Sequence, residues 1–195
     1  METLIDFLLV VHIVNAILMA WPFYALVAVN QRARLGPPVG DRTDTYMENI
    51  IKNRSIPCFV FQATALITGL ALAQLGGLGL ESVATNPALT AKTVLLLMVA
   101  GILAYVHFRL QRKIDRLFTQ AGGRPVPEEV ARRIGALRLR RKRLASVCLF
   151  SVLTMAMLGV QVRTAFAGWL TALLILAIAA FAARAFKSTT PYGWA

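Results

Sequence analysis

The apolar stretch over residues 144–186 constrains the fold of this chain more than any other feature. Arg163 and Arg184 are its only charged residues. As one helix, with a rise of about 1.5 Å per residue, it would extend roughly 64 Å. The hydrocarbon core of a bilayer is only about 30 Å thick. The stretch therefore predicts two membrane-spanning helices that meet near Arg163, over residues 144–162 and 165–184.

The composition extends this interpretation to the whole chain. Of the 195 residues, 57% are hydrophobic and 15% are charged, which leaves too little polar surface to cover a protein in water. Three further apolar segments, residues 4–29, 56–78 and 89–108, are suited to crossing a bilayer. The first begins with Glu2 and Asp6 and lacks the basic region of a signal peptide, so we expect it to be retained. We predict an all-α integral membrane helical bundle of about five transmembrane helices, forming a single membrane domain over residues 1–195.

Basic residues divide unequally between the two ends of these segments. Of the 21 Lys and Arg residues, 19 lie in the loops 31–55 and 109–143 or in the C-terminal tail, and the exceptions are Lys92 and Arg163. Cytoplasmic loops of membrane proteins carry such an excess. The pattern predicts cytoplasmic loops 31–55 and 109–143, a cytoplasmic C-terminus, an N-terminus outside, and a multi-pass protein of the cell inner membrane.

The net charge of +12 is typical of nucleic-acid binding only in a soluble protein. Here the basic residues flank apolar spans, where they are expected to meet anionic lipid head groups and not nucleic acid. Pro127, Glu128 and Glu129 predict the start of a helix that carries the arginines of residues 132–143 into the fourth span. A docking face for an acidic soluble partner is the alternative role of these arginines.

The spans themselves contain few ionisable groups. No Asp, Glu, Lys or Arg lies at residues 7–29, 56–80 or 144–162. Proton-coupled transporters need such groups within the membrane, so the pattern disfavours a transporter. Nucleotide-binding, zinc-protease and serine-nucleophile motifs are also missing from the sequence.

Both histidines lie in predicted spans. An imidazole in lipid needs a partner or a metal, so His12, well inside the first span, either bonds to a neighbouring helix or ligates haem or a metal. His107 lies near the inner end of the third span, where it can reach water. The two differ in depth by roughly 12 Å, which disfavours joint ligation of one iron. Ligation by His12 with Met98 or Met155 stays open, although methionines in spans are usually core residues.

Two other features of the spans suggest close packing or metal binding. Cys58 and Cys148 are expected to be free thiols, and with His107 they reach similar depths, which would suit copper(I) or zinc. The small residues Ala65, Gly69 and Ala73 form one helix face that another helix or a flat macrocycle could approach.

The segments LLVVHIVNAILMAW, with His12, and LTAKTVLLLMVAGILAYVHFRLQRKIDRL, with Lys92 and His107, resemble those of the CopD-like superfamily of small polytopic membrane proteins. The resemblance covers about residues 4–162, includes the arginine-rich approach to the fourth span, and leaves the fifth span as an addition. That superfamily includes HemJ-type membrane protoporphyrinogen oxidases and uncharacterised integral membrane proteins. The resemblance implies haem binding or a place in a redox complex.

The sequence thus predicts a small integral membrane subunit or partner of a respiratory-type electron-transfer system, which binds one b-type haem through His12 and associates with other membrane subunits. The alternative is a cofactor-free structural or lipid-binding subunit of a membrane complex. An enzyme of porphyrin oxidation and a copper permease are further alternatives.

Overall fold

A computed structural model describes residues 2–20, 38–52, 55–123, 126–162 and 164–187. Within these residues the regular structure is entirely helical, which confirms the prediction of an all-α fold. The helices are α1 (Glu2–Leu18), α2 (Arg42–Lys52), α3 (Ser55–Leu75), α4 (Ser82–Thr85), α5 (Pro87–Tyr105), α6 (Arg112–Gln120), α7 (Glu128–Gln161) and α8 (Gly168–Lys187), with a π-helical stretch, Val106–Gln111, between α5 and α6.

Four helical stretches are long and apolar enough to cross a membrane. They are Arg42–Leu75, which runs over residues 53–54 outside the described ranges, Pro87–Gln120, Glu128–Gln161 and Gly168–Lys187. Helix α1 has 17 residues, and residues 21–29 of the first predicted span lie outside the described ranges. A multi-pass membrane fold is therefore supported by four helices, and the fifth crossing stays a prediction.

Local sequence explains where two of the long stretches, Pro87–Gln120 and Glu128–Gln161, begin. The Asn86 side chain accepts hydrogen bonds from the backbone N–H groups that open α5, and Pro87 follows it at the first helical position. Helix α7 begins after Pro127 with Glu128 and Glu129 in its first turn. Carboxylates there are attracted to the positive end of the helix dipole. It continues for 34 residues without interruption. Its arginine-bearing and apolar parts therefore form one helix.

Successive long helices pack antiparallel. Asn15 of α1 donates to the Phe61 carbonyl of α3, whereas His12, earlier in α1, contacts Thr68, later in α3. The start of α3 in turn meets the π-helical stretch that follows α5, where Phe59 lies 6.0 Å from the His107 ring. Helices α1, α3 and α5 thus alternate in direction.

The alternation continues through α7 and α8. Lys92, early in α5, lies against Gly159, late in α7, and Arg140, early in α7, lies over the Tyr105 ring at the end of α5. The start of the apolar part of α7 meets the end of α8, where the Ser146 hydroxyl donates to the Ala182 carbonyl. The end of the bundle that carries α2, α6 and the first turns of α7 is called the basic end.

The core is narrow, and many large apolar side chains are exposed. Its main cluster of buried residues comprises Met19, Leu96, Val99, Cys148, Val152 and Met155. Large apolar residues on every long helix are more than half exposed, among them Phe7, Ile67, Val94 and Leu176. Such continuous apolar surface is unfavourable in water and is satisfied by lipid.

Candidate functional site

The first candidate site is formed by His12 and α3. The His12 Nδ1 atom lies 2.7 Å from the Thr68 hydroxyl oxygen. That hydroxyl donates its own proton to the Thr64 carbonyl oxygen, 2.7 Å away. The hydroxyl must therefore accept from His12, which places the imidazole proton on Nδ1 and leaves the Nε2 lone pair available. This tautomer is the one that a histidine with Nε2 as metal ligand adopts.

Gly69 allows α3 to pack closely against this imidazole. A Cβ atom at Gly69 would lie 3.4 Å from His12 Cε1, so any longer side chain would displace the ring or the helix. Gly69 therefore faces α1, which is one of the two partners, another helix or a flat macrocycle, that the sequence predicts for this face. Ala73, one turn further along the same face, is buried.

The second histidine contacts different residues. His107 lies in the π-helical stretch with its ring 6.0 Å from Phe59 and 4.8 Å from Phe108, edge to face in both cases. On α3, Phe59 and Thr68 are nine residues apart, which corresponds to roughly 13 Å along the helix axis. The histidines therefore contact α3 at different levels.

The two predicted methionine ligands occupy unlike positions. Met98 is 39% exposed, on the outer surface of α5. Met155 is buried in the main core cluster with Met19 and Cys148. The packing of Met155 is that of a core residue.

The cysteines are both free and buried. Across residues 2–20, 38–52, 55–123, 126–162 and 164–187, no three His, Cys, Asp or Glu side chains are placed to hold a metal ion. Cys58, His107 and Cys148 are not grouped in this way in those ranges, and a copper or zinc site formed by them stays a prediction.

The second candidate site is a buried charge cluster at the basic end. Arg138 donates to both carboxylate oxygens of Asp44, at 2.8 and 2.9 Å, and lies 3.2 Å from Glu48. Arg141 donates to both carboxylate oxygens of Glu48, at 2.5 and 3.0 Å. Asp44 is 1% exposed and Arg141 is 4% exposed. The cluster thus joins α2 to α7 through three ion pairs that water does not screen.

Gln111 connects this cluster to the helical stretch Pro87–Gln120. Its side-chain nitrogen donates to Glu48 at 3.1 Å and to Asp115 at 3.2 Å, and its oxygen accepts from Arg141 at 2.6 Å. Asp115 also forms an exposed ion pair with Lys52, 3.0 Å long. A cavity of about 330 Å³ beside the cluster is bordered by α2 and α6. The cluster therefore connects three helical segments of the chain that are distant in sequence.

Sequence reasoning missed this cluster and assigned Arg138 and Arg141 to lipid or to an acidic partner. That assignment was wrong for these two residues, because they are buried against carboxylates of the same chain. The sequence does contain a signal, since Asp44 and Glu48 are one turn apart on α2, and Arg138 and Arg141 are about one turn apart on α7. Nothing in the sequence identified those two faces as neighbours.

Comparison with known proteins does not assign this chain to a family. No protein-family model, no curated protein and no solved structure matches the chain. The resemblance to the CopD-like superfamily therefore stays a prediction from its sequence motifs.

Proposed function

We propose that this protein is a small integral membrane subunit of an electron-transfer system, in which His12 would hold one b-type haem. The observation that carries the proposal is the chain of hydrogen bonds from His12 Nδ1 to Thr68 and Thr64. It leaves the lone pair of Nε2 available to bind a metal ion. No hydrogen bond of Nε2 is formed within the described part of the chain. An imidazole nitrogen in a membrane helix needs a partner.

The residues around His12 fit a haem. The porphyrin supplies four nitrogens of its own, so the chain needs to provide only one or two ligands and not a cluster of three. Gly69 packs directly against the Cε1 edge of the imidazole, so no side chain at that position of α3 covers the ring. When bound, such a haem supplies one-electron transfer. Thr68 would hold the ligand ring in orientation and raise its basicity through the Nδ1 hydrogen bond.

The proposal includes a topology of five crossings, with the N-terminus outside and the basic end at the cytoplasmic face of the inner membrane. The antiparallel order of α1, α3, α5, α7 and α8 supports five crossings, and the distribution of Lys and Arg supports the orientation. Helices α1 and α8 expose apolar side chains along their length, and these faces are where we expect other membrane subunits to pack.

Spectroscopy of the purified protein tests the haem. We expect a Soret band and a reduced α-band typical of b-type haem in the parent protein, loss of most haem in His12→Ala, and near-parental haem content in His107→Ala. His107→Ala is the matched control because it also removes a span imidazole. Full haem retention in His12→Ala would overturn the assignment of the ligand, and haem-free parent protein after expression with ample haem would overturn the function.

Cysteine labelling tests the topology separately. Ala84 and Gln120 are exposed at opposite ends of the bundle, whereas Cys58 and Cys148 are buried. In intact cells a membrane-impermeant maleimide should modify Ala84→Cys and leave Gln120→Cys unmodified until the membrane is opened. The reverse pattern would invert the proposed orientation.

A cofactor-free structural subunit is the second candidate function. The buried charge cluster favours it, because the ion pairs that join α2 to α7 brace the bundle without any ligand. This function predicts a parent protein that stays colourless yet stabilises its partner subunits.

A further inference from the structure

Two groups of basic residues differ in their ion pairs in a way that the sequence does not reveal. Arg138 and Arg141 are neutralised by Asp44 and Glu48. On the exposed side of α7, Arg132 and Arg133 pair one turn back with Glu128 and Glu129. All nine Asp and Glu residues of the chain lie within the described ranges, so the carboxylates available to the remaining cations can be counted.

The second group consists of six exposed residues, which we call the cationic belt. Within the described ranges, none of the six forms an ion pair with a carboxylate. They are Arg109, Arg112, Lys113, Arg116, Arg140 and Arg143. Their charge therefore has no counter-charge from this part of the chain.

Aromatic rings place the cationic belt at the level of a membrane interface. The guanidinium of Arg112 lies 5.7 Å from the centre of the Phe108 ring, and that of Arg140 lies 5.3 Å from the centre of the Tyr105 ring. Aromatic residues and snorkelling arginines concentrate where hydrocarbon meets head groups. Tyr105 lies at the end of α5 and Arg140 on α7, so this contact also spans the groove between the two helices.

Apolar surface continues from the cationic belt along the same two helices. On α5, Val94 and Leu97 are each 59% exposed, and on α7 Val147 is exposed beyond Arg143. A ligand of this surface must therefore combine a negative group with long apolar chains. An acidic soluble protein has only the first of these features.

We propose that the cationic belt binds the head group of an anionic phospholipid, whose acyl chains cover the apolar faces of α5 and α7. Cations near a membrane surface each strengthen binding of anionic lipid by about fivefold. The proposal does not depend on haem or on His12.

The test measures lipid preference by native mass spectrometry in detergent. Parent protein is titrated with phosphatidylglycerol or phosphatidylcholine of identical acyl chains, and the two affinities are compared. The double variant Arg140→Gln with Arg143→Gln should lose roughly tenfold or more of the preference for phosphatidylglycerol. The matched control, Arg132→Gln with Arg133→Gln, removes two exposed charges of the same helix that already pair with glutamates, and it should keep the parental preference.

Three outcomes would overturn the proposal. The first is equal affinity of the parent for both lipids, and the second is equal loss of preference in the belt and control variants. The third is a belt variant that keeps the preference for phosphatidylglycerol but loses binding of polyglutamate added as a competitor. That result would assign the cationic belt to an acidic protein.

Discussion

His12 and the charge cluster at the basic end are both polar sites within a largely apolar bundle, but their hydrogen bonding differs. In the cluster, Asp44 and Glu48 each receive two hydrogen bonds from an arginine, and Gln111 uses both its nitrogen and its oxygen. His12 has one partner, Thr68, and an Nε2 atom without a hydrogen bond in the described part of the chain.

This difference distinguishes polar groups that hold the helices together from polar groups that can bind a ligand. In the cluster the carboxylate oxygens and the terminal guanidinium nitrogens are paired, whereas the buried Nε atoms of Arg138 and Arg141 have no hydrogen-bond partner in the described part of the chain. A charge paired with an opposite charge in this way stabilises one arrangement of its helices and has little capacity left for a ligand. A group that is half paired in an apolar environment leaves an interaction open, which a ligand can complete at a gain in free energy. The contrast makes the cluster a brace and His12 the candidate ligand.

Breaking the cluster should have the largest effect on stability. Asp44→Leu leaves Arg138 buried with part of its counter-charge missing, and we expect the free energy of unfolding to fall by about 3–5 kcal/mol. The double variant Asp44→Leu with Arg138→Met should be less destabilised than the sum of the two single variants, because neither charge is then left alone. Denaturant titration in detergent measures both quantities. Glu129→Gln, which removes a carboxylate from an exposed pair, is the control, and an equal effect there would contradict a buried brace.

Filling the space beside His12 should have the next largest effect. Gly69→Leu forces a side chain into the His12 ring, and we expect a loss of about 1–3 kcal/mol through separation of α1 and α3. Gly101→Leu is a matched control, since a Cβ atom at Gly101 meets nothing within 4 Å. Thermal unfolding of the two variants under the same conditions measures the difference. Parental stability in Gly69→Leu would mean that α1 does not pack as described.

Removing the acceptor of the His12 proton should weaken the proposed ligand without removing it. Thr68→Val deletes the hydroxyl that fixes the tautomer, and we expect haem affinity to fall roughly 10- to 100-fold. Thr93→Val deletes a threonine hydroxyl that bonds only to the Leu89 carbonyl of its own helix, and it should leave affinity unchanged. Haem titration followed in the Soret region measures both affinities. Equal affinities in the two variants would show that Thr68 does not orient His12.

The smallest effect is expected at the exposed margin of the cluster. Lys52 and Asp115 have side chains that are 47% and 40% exposed, so water and salt weaken their attraction. Lys52→Gln should lower the free energy of unfolding by less than about 1 kcal/mol. Comparing parent and variant at low and high salt measures this difference, which should shrink as salt rises. A loss as large as that of Asp44→Leu would remove the distinction between the buried and exposed parts of the network.

The two sites also differ in how much of each could be predicted from the sequence. His12 could be selected as a candidate from the sequence, because it is one of only two imidazoles in apolar segments. Its partner Thr68, 56 residues away, could not be identified, since any span can offer a hydroxyl. The role of Met155 in the core, and the outward position of Met98, likewise depended on which faces of their helices meet.

The sequence by itself determined that this chain is helical and suited to a membrane. Those properties follow from the length and apolar character of contiguous segments, because lipid acts on each segment separately and forces its backbone to form internal hydrogen bonds. Only the tertiary structure decided that Arg138 pairs with Asp44, 94 residues away, while Arg140 stays without a carboxylate in the described ranges. Charge alone is the same for both arginines. What differs is the helix face on which each lies and the helix that packs against that face, and this depends on contacts between segments that are distant in sequence.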